Sequence, residues 1–331
     1  MRFALLLLAS VAMTHLAPAA EPAPLVLERT IPLGRINGRI DHLSVDLGRR
    51  RLHVAELGND SVGVVDLASA SLLRTLTGLR EPQGILYVAA SDELFVANGR
   101  DGSVSVFHGP DLAPAGVIHL GDDADNLRLA RSGHIVVAGH GSGGLALIES
   151  SSHRLLADIT LPAHPEGFQI SPDGQRAYVN IPQRREIAVI DMVQQRQIAT
   201  WPVTGTRANF PLTLESRTDA PWSVFRDPPR LVRFGPDGKS TLMLETCGDS
   251  DDLFFDERRH RVYVICGSGQ IDVFEQRGQQ YVQVARIATV PGARTGLFVP
   301  ELDRLFVAAR STSKQSAAVL VFRPVDGALR P

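Results

Sequence analysis

The stretch AYVNIPQRREIAVIDM, Ala177 to Met192, decides the fold. It reads as an apolar strand core (Ala177-Tyr178-Val179), a short polar turn, and a second apolar strand (Ile187-Ala188-Val189-Ile190). Short apolar runs bounded by turn residues are strands rather than helices. The phrase recurs along the chain. Its first strand returns as Leu52-His53-Val54, Leu94-Phe95-Val96, Ile135-Val136-Val137, Trp222-Ser223-Val224, Val262-Tyr263-Val264 and Leu305-Phe306-Val307. Including Val179, the valines advance by 42, 41, 42, 45, 40 and 43 residues. Each is followed by a partner strand, as at Val62 to Val65, Val104 to Phe107 and Val319 to Phe322. The turns between them, such as Gly58-Asn59-Asp60 and Gly267-Ser268-Gly269, carry the residues that hairpins demand.

One more strand precedes each pair and a fourth follows most of them, as at Leu72 to Leu76 and Ile198 to Val203. Seven such units predict an all-β, seven-bladed β-propeller of four-stranded antiparallel blades. At roughly 150 residues per domain the 331-residue chain could hold two domains. The unbroken repeat argues for one, over 21–331. The seventh unit ends near Arg323 after only three strands, while LVLERTIPL (Leu25 to Leu33) stands spare ahead of the first. That N-terminal strand is expected to join the last blade, closing the ring and hiding both edges.

Composition narrows the function classes. Apolar residues at 44% and charged residues at 21% describe a globular chain with a sizeable core. Basic residues number 34 and acidic ones 36, a net charge of −2, without the basic surplus of a nucleic-acid binder. Residues 1–20 read as a signal peptide: Arg2, an apolar run from Phe3 to Ala12, then Ala17-Pro18-Ala19 at a cleavage site. The run is too short to span a bilayer, so the expected location is periplasmic or secreted. Cys247 and Cys266 are the only cysteines, with no CxxC or CxxCH motif. A disulfide and two buried thiols both remain open.

The blade text, together with LFVANGRDGSVSVF in the second unit and ISPDGQRAYV in the fourth, resembles the YVTN-repeat, YncE-like β-propeller family of exported bacterial proteins. The resemblance covers all seven units. It implies the architecture and leaves the reaction open, since that family mostly lacks an assigned activity. WD-repeat propellers are a poorer match, because neither Trp201 nor Trp222 is followed by Asp. The Trp-rich signature of quinoprotein dehydrogenases and the repeated doublet glycines of kelch blades are also missing.

Each inner strand of a propeller starts at one rim of the central channel. Aligning those strands on Leu43, Ile85, Leu127, Phe168, Leu212, Leu253 and Leu297 exposes the residues ahead of them. Two before stand Asp41, Gln83, Asp125, Glu166, Phe210, Asp251 and Thr295; one before stand His42, Gly84, Asn126, Gly167, Pro211, Asp252 and Gly296. Asp and Asn also favour turns, and side chains at strand starts often cap backbone groups, so each position alone says little. Recurrence at one strand position is the stronger signal. Four converging carboxylates repel unless cations or donors compensate, and His42, His164, Asn209 and Arg294 are close enough in sequence to do so. Oxygen ligands from Asp125, Asn126, Glu166 and Asp251 would suit Ca²⁺ or Mg²⁺, while adding His42 or His164 would admit a transition metal.

Two motifs fail on inspection. Gly235-Pro236-Asp237-Gly238-Lys239-Ser240 lacks the first glycine of a phosphate loop, and His140-Gly141-Ser142-Gly143-Gly144 is no GxSxG; both are turns between strands. Two function readings follow. The first is a ligand-binding or protein-interaction module, a monomer using an acidic channel mouth for a small ligand or a periplasmic partner. The second is a Ca- or Mg-dependent hydrolase like the lactonase propellers, gluconolactonases and paraoxonases, with His42 as the base. The local motifs of those enzymes do not match here residue by residue.

Overall fold

The structure, a computed structural model, describes residues 23–326. The segment read as an export signal lies outside the described residues. Seven four-stranded antiparallel sheets follow one another, with inner strands Leu43–Asp46, Pro82–Val88, Ala124–Leu129, Phe168–Ile170, Arg207–Glu215, Ser250–Asp256 and Gly296–Val299. Each inner strand touches the next, and that of blade 7 touches that of blade 1, so the blades form a closed ring. Among the described residues the helical content is two single 3₁₀ turns, Leu57–Asn59 and Pro182–Arg184.

Alternation along the second strand of each blade explains the repeat. In blade 2, Leu94 and Val96 pack with Val62 and Val64 of blade 1, while Phe95 and Ala97 pack with Val136 and Ala138 of blade 3. Blade 6 does the same, with Val262 and Val264 toward blade 5 and Tyr263 and Ile265 toward blade 7. Both faces of a blade are buried, which is why the strands read as continuous apolar runs. In blades 3 and 5 the valine repeat runs one residue out of phase. Val137 and Val224 face the following blade, because Leu127 pairs with Ala138 and Leu212 with Ser223. A one-residue shift exchanges the two faces of a strand, and both faces here accept an apolar side chain.

Strand Leu25–Gly34 pairs antiparallel with Ala317–Pro324 as the outer strand of blade 7. Ile31 and Leu33 enter the core between blades 7 and 1, and Leu25 enters the one between blades 6 and 7. Cys247, on the crossover between blades 5 and 6, is joined by a disulfide to Cys266 at the end of Arg261–Cys266, with α-carbons 5.8 Å apart. The same crossover is held by fully buried Asp272, which accepts hydrogen bonds from the Cys247 N–H (2.8 Å) and the Thr246 hydroxyl (3.1 Å).

Among the described residues, the rim away from the inner-strand starts carries an ion-pair clamp that occurs twice. Arg49 binds Asp46 in its own blade at 3.0 Å and reaches Asp92 of blade 2 at 2.6 Å. Arg259 binds Asp256 at 3.0 Å and Asp303 of blade 7 at 2.6 Å. A tyrosine completes each clamp: Tyr87 donates to Asp92 and Tyr263 to Asp256, both at 2.7 Å. Both clamps fasten one blade to the next.

Two outcomes test this architecture. Deleting residues 25–34 should leave Ala317–Pro324 as an unpaired apolar edge, so size-exclusion chromatography should show self-association and loss of soluble protein; a monomeric deletion melting like the parent would contradict the closure. Arg259→Ala strips a guanidinium 5% exposed from a carboxylate 2% exposed and should cost about 3 kcal/mol in urea unfolding. The corresponding Arg49→Ala, at a side chain 32% exposed, should cost about 1 kcal/mol or less.

Candidate functional site

The starts of the inner strands surround one cavity of about 150 Å³. Its walls include Asp41, His42, Gln83, Asp125, Asn126, His164, Glu166, Asp251, Asp252 and Arg294, and every blade contributes at least one residue. A recurrent bulge accounts for this. In blades 2, 3 and 5, two residues of the inner strand oppose one residue of the second strand just before the anchors Ile85, Leu127 and Leu212. Blade 6 carries the irregularity between Ser250 and Asp252. In blade 1, Asp41 N–H donates to Ala55 O and Ala55 N–H donates to His42 O, again two residues against one. Such a bulge re-aims side chains that a plain strand would send to opposite faces. Asp41 and His42, Asp125 and Asn126, and Asp251 and Asp252 therefore face the cavity as neighbouring pairs. Close approach of the strands explains Gly84, where a Cβ would lie 2.0 Å from Asp125 O.

Two expected site residues lie elsewhere. In blade 7, Gly296 pairs with Val307 as Leu43 pairs with Val54, so the anchor is Gly296, not Leu297. Arg294 consequently takes the mouth position, and Thr295 is fully buried, donating to Ile40 O at 3.3 Å. Asn209 is also fully buried and donates to Asn180 Oδ1 (2.9 Å) and Glu186 O (3.0 Å), tying blade 5 to blade 4. Both are structural ties. Conversely, Arg39, Asp123, Arg128, Gln169, Phe210, Arg226 and Phe254 also line the cavity. Arg39 and Asp123 stand two residues before Asp41 and Asp125, the offset at which His164 precedes Glu166; that repeated spacing was the available signal.

The mouth holds basic side chains in the same number as acidic ones. Asp41, Asp123, Asp125, Glu166, Asp251 and Asp252 meet Arg39, Arg128, Arg226, Arg294, His42 and His164. The half built by blades 5, 6, 7 and 1 is closed by ion pairs. Arg226 stacks on Phe210 with its guanidinium carbon 3.7 Å from the ring centroid, and its head pairs with Asp251. Arg39 pairs with Asp41 at 3.1 Å and approaches Asp251 at 3.9 Å, and Arg294 lies 4.0 Å from Asp251. His42 Nδ1 lies 3.3 Å from Asp252, which also accepts the Gly296 N–H at 2.9 Å.

These contacts set the protonation states. Burial opposes a charge on His42, but Asp252, Asp41 and Asp125 outweigh it and push its pKa up to about 10. The same neighbours hold the imidazole in its charged form, which has no lone pair with which to accept a proton. Burial raises Asp41 to about 6 against the opposing pull of His42 and Arg39. Glu166 is pushed up to about 8, by burial and then by Asp125, against His164 and Arg226. Asp251 is also raised by burial, with Arg226 opposing.

Solved structures of the same shape include a chain titled Kuenenia stuttgartiensis hydrazine synthase, with TM-score 0.69 and 14% identity over 96% of this chain and 99% of that one. A chain of a mitotic checkpoint complex superposes with TM-score 0.77 and 13% identity, covering 98% of this chain and 99% of that one. The likeness is one of fold. No protein-family model and no curated protein matches the sequence.

The raised pKa of His42 has a measurable sign. A group whose folded pKa exceeds its unfolded value stabilises most below the unfolded value, near 6.5, and loses that contribution as pH rises through about 10. The melting-temperature advantage of the wild type over His42→Gln should therefore be largest below pH 6.5 and shrink steadily toward pH 10. An advantage that grows with pH would contradict the assignment.

Proposed function

We propose that this chain is an exported, YncE-like propeller that works as a monomeric binding module, periplasmic or secreted, with the channel mouth as its ligand site. The observation that carries the reading is the convergence of charged and amide side chains from seven separate blades on one small cavity. A rigid ring costs little to keep open, and placing polar groups around it is what a binding site requires. The disulfide fits an oxidising compartment, in keeping with the leader read in residues 1–20.

A cavity of about 150 Å³ is below the usual range of roughly 300–1,000 Å³ for drug-sized ligands. It suits an ion, a small polar molecule, or one side chain of a partner. The groups without partners choose between these. Asp125 and Glu166 accept no hydrogen bond among the described residues, and their only ion-pair neighbour is His164, at 3.9 Å from each. The open half of the mouth therefore favours the cationic end of a ligand or a partner side chain. Arg128 makes no ion pair among the described residues; it lies over the Phe168 ring and donates to Leu127 O, and its remaining N–H groups suit an acceptor on the same ligand.

A thermal-shift screen of small amines, amino acids and hydroxy acids, run in chelator, tests the reading. Compounds bearing a cationic group should stabilise the wild type and lose that effect in the Asp125→Asn/Glu166→Gln double variant. Stabilisation indifferent to the double variant, or no stabilising compound at all, would overturn it.

A further inference from the structure

We propose that Asp125, His164 and Glu166 form a binding site for one divalent transition-metal ion of the Zn²⁺ class, with Asp123 and Gln83 as its supporting layer. The site goes beyond ligand binding at the mouth, since a chain that binds no small molecule could still hold the ion.

Geometry carries the inference. One donor atom from each of the three side chains, the imidazole nitrogen and two carboxylate oxygens, lies within 4.8 Å of the others. His164 Nε2 is 3.9 Å from Asp125 Oδ2 and 3.9 Å from Glu166 Oε1. Those separations are too long for hydrogen bonds and match donors spread around a shared cation. Asp125 gives an independent sign that a cation fits here. It is 6% exposed, lines the cavity, and accepts no hydrogen bond among the described residues. A buried carboxylate left this way is costly unless something charged sits against it. Across the same mouth Asp41, Asp251 and Asp252 have guanidinium or imidazole partners at 3.3 Å or closer, whereas Asp125 and Glu166 have, among the described residues, His164 alone within ion-pair distance, at 3.9 Å.

A carboxylate also stands on the far side of the ring, where metal-bound histidines find their orienting partner. With Nε2 turned to the ion, His164 Nδ1 faces Asp123 Oδ2 at 3.7 Å, and Asp123 is itself fixed by Gln83 Nε2 at 2.9 Å. Gly141 leaves the space this needs: a Cβ there would lie 2.7 Å from Asp123 Cβ and 3.3 Å from His164 Nδ1. Chemistry selects the metal. One imidazole and two carboxylates suit Zn²⁺, Co²⁺ or Mn²⁺, whereas Ca²⁺ asks for six to eight oxygens. Asp251, expected from the sequence as a ligand to Ca²⁺ or Mg²⁺, is instead held by Arg226. Two carboxylates against one divalent ion also cancel in charge. Three protein donors would leave further coordination positions for water or a ligand atom.

The test uses the purified protein, stripped with chelator and titrated with Zn²⁺, Co²⁺ and Ca²⁺ alone. Calorimetry and elemental analysis should show one Zn²⁺ or Co²⁺ per chain, and Ca²⁺ should bind at least about 100-fold more weakly. Co²⁺ should give visible absorption that changes in His164→Gln. His164→Gln and Asp125→Asn should each weaken Zn²⁺ by about 100-fold or more, while Asp123→Asn should weaken it by roughly 10–100-fold and keep the Co²⁺ spectrum. Metal-free melting curves of every variant separate lost coordination from lost folding. Absence of a stoichiometric ion, Ca²⁺ bound as tightly as Zn²⁺, or a folded His164→Gln that binds like the wild type would overturn the proposal. Because the ligand screen is run in chelator, the two ideas fail independently.

Discussion

A single blade cannot bury itself. Its second strand sends alternate residues to opposite faces, as Leu94 and Val96 go one way and Phe95 and Ala97 the other, and each face is covered only by the neighbouring blade. That constraint shapes the rest of the molecule. Seven apolar layers lie between seven blades, so a row of blades would always leave two faces and two edges bare. Pairing Leu25–Gly34 with Ala317–Pro324 removes them by making the last blade from both ends of the described chain. Closure then fixes the geometry of the mouth, because it brings the starts of seven inner strands around one small space.

Much of the fold was legible because apolar strands and polar turns alternate at a steady interval. The closing strand could be read for the same reason, as a strand too many at one end and too few at the other. Register was less legible. Gly296-Leu297-Phe298-Val299 offers three successive apolar residues as the anchor, and only backbone pairing shows that Gly296 occupies the position of Leu43. The slip exchanged Thr295 for Arg294 at the mouth. Likewise Val137 and Val224 are as apolar as their counterparts, so sequence pattern could not reveal that they face the other neighbour.

The candidate site was half legible. Asp41, Asp125, Glu166 and Asp251 stand at recurrent positions ahead of apolar anchors, and all four line the cavity. Their counter-charges were harder to see, since Arg39 comes from a crossover and Arg226 from the far end of Ala220–Asp227, outside the aligned segment. An aligned column of acids therefore looked like an electronegative ring. Spatially it is two unlike halves, one neutralised by arginines and one in which Asp125, His164 and Glu166 face each other across gaps.

The two rims differ in what acid does to them. On the clamp side, hydrogen bonds from Arg49 and Tyr87 hold Asp92 down to about 2, and Arg259 lowers Asp303 likewise, so those pairs stay ionised through mild acidity. At the mouth, Asp41 gains its proton near 6 while His42 keeps its own. Mild acid thus alters the net charge of the opening without unfastening the frame that carries it. The two rims therefore answer acid differently: the clamps keep their charges while the mouth sheds negative charge as its surroundings acidify.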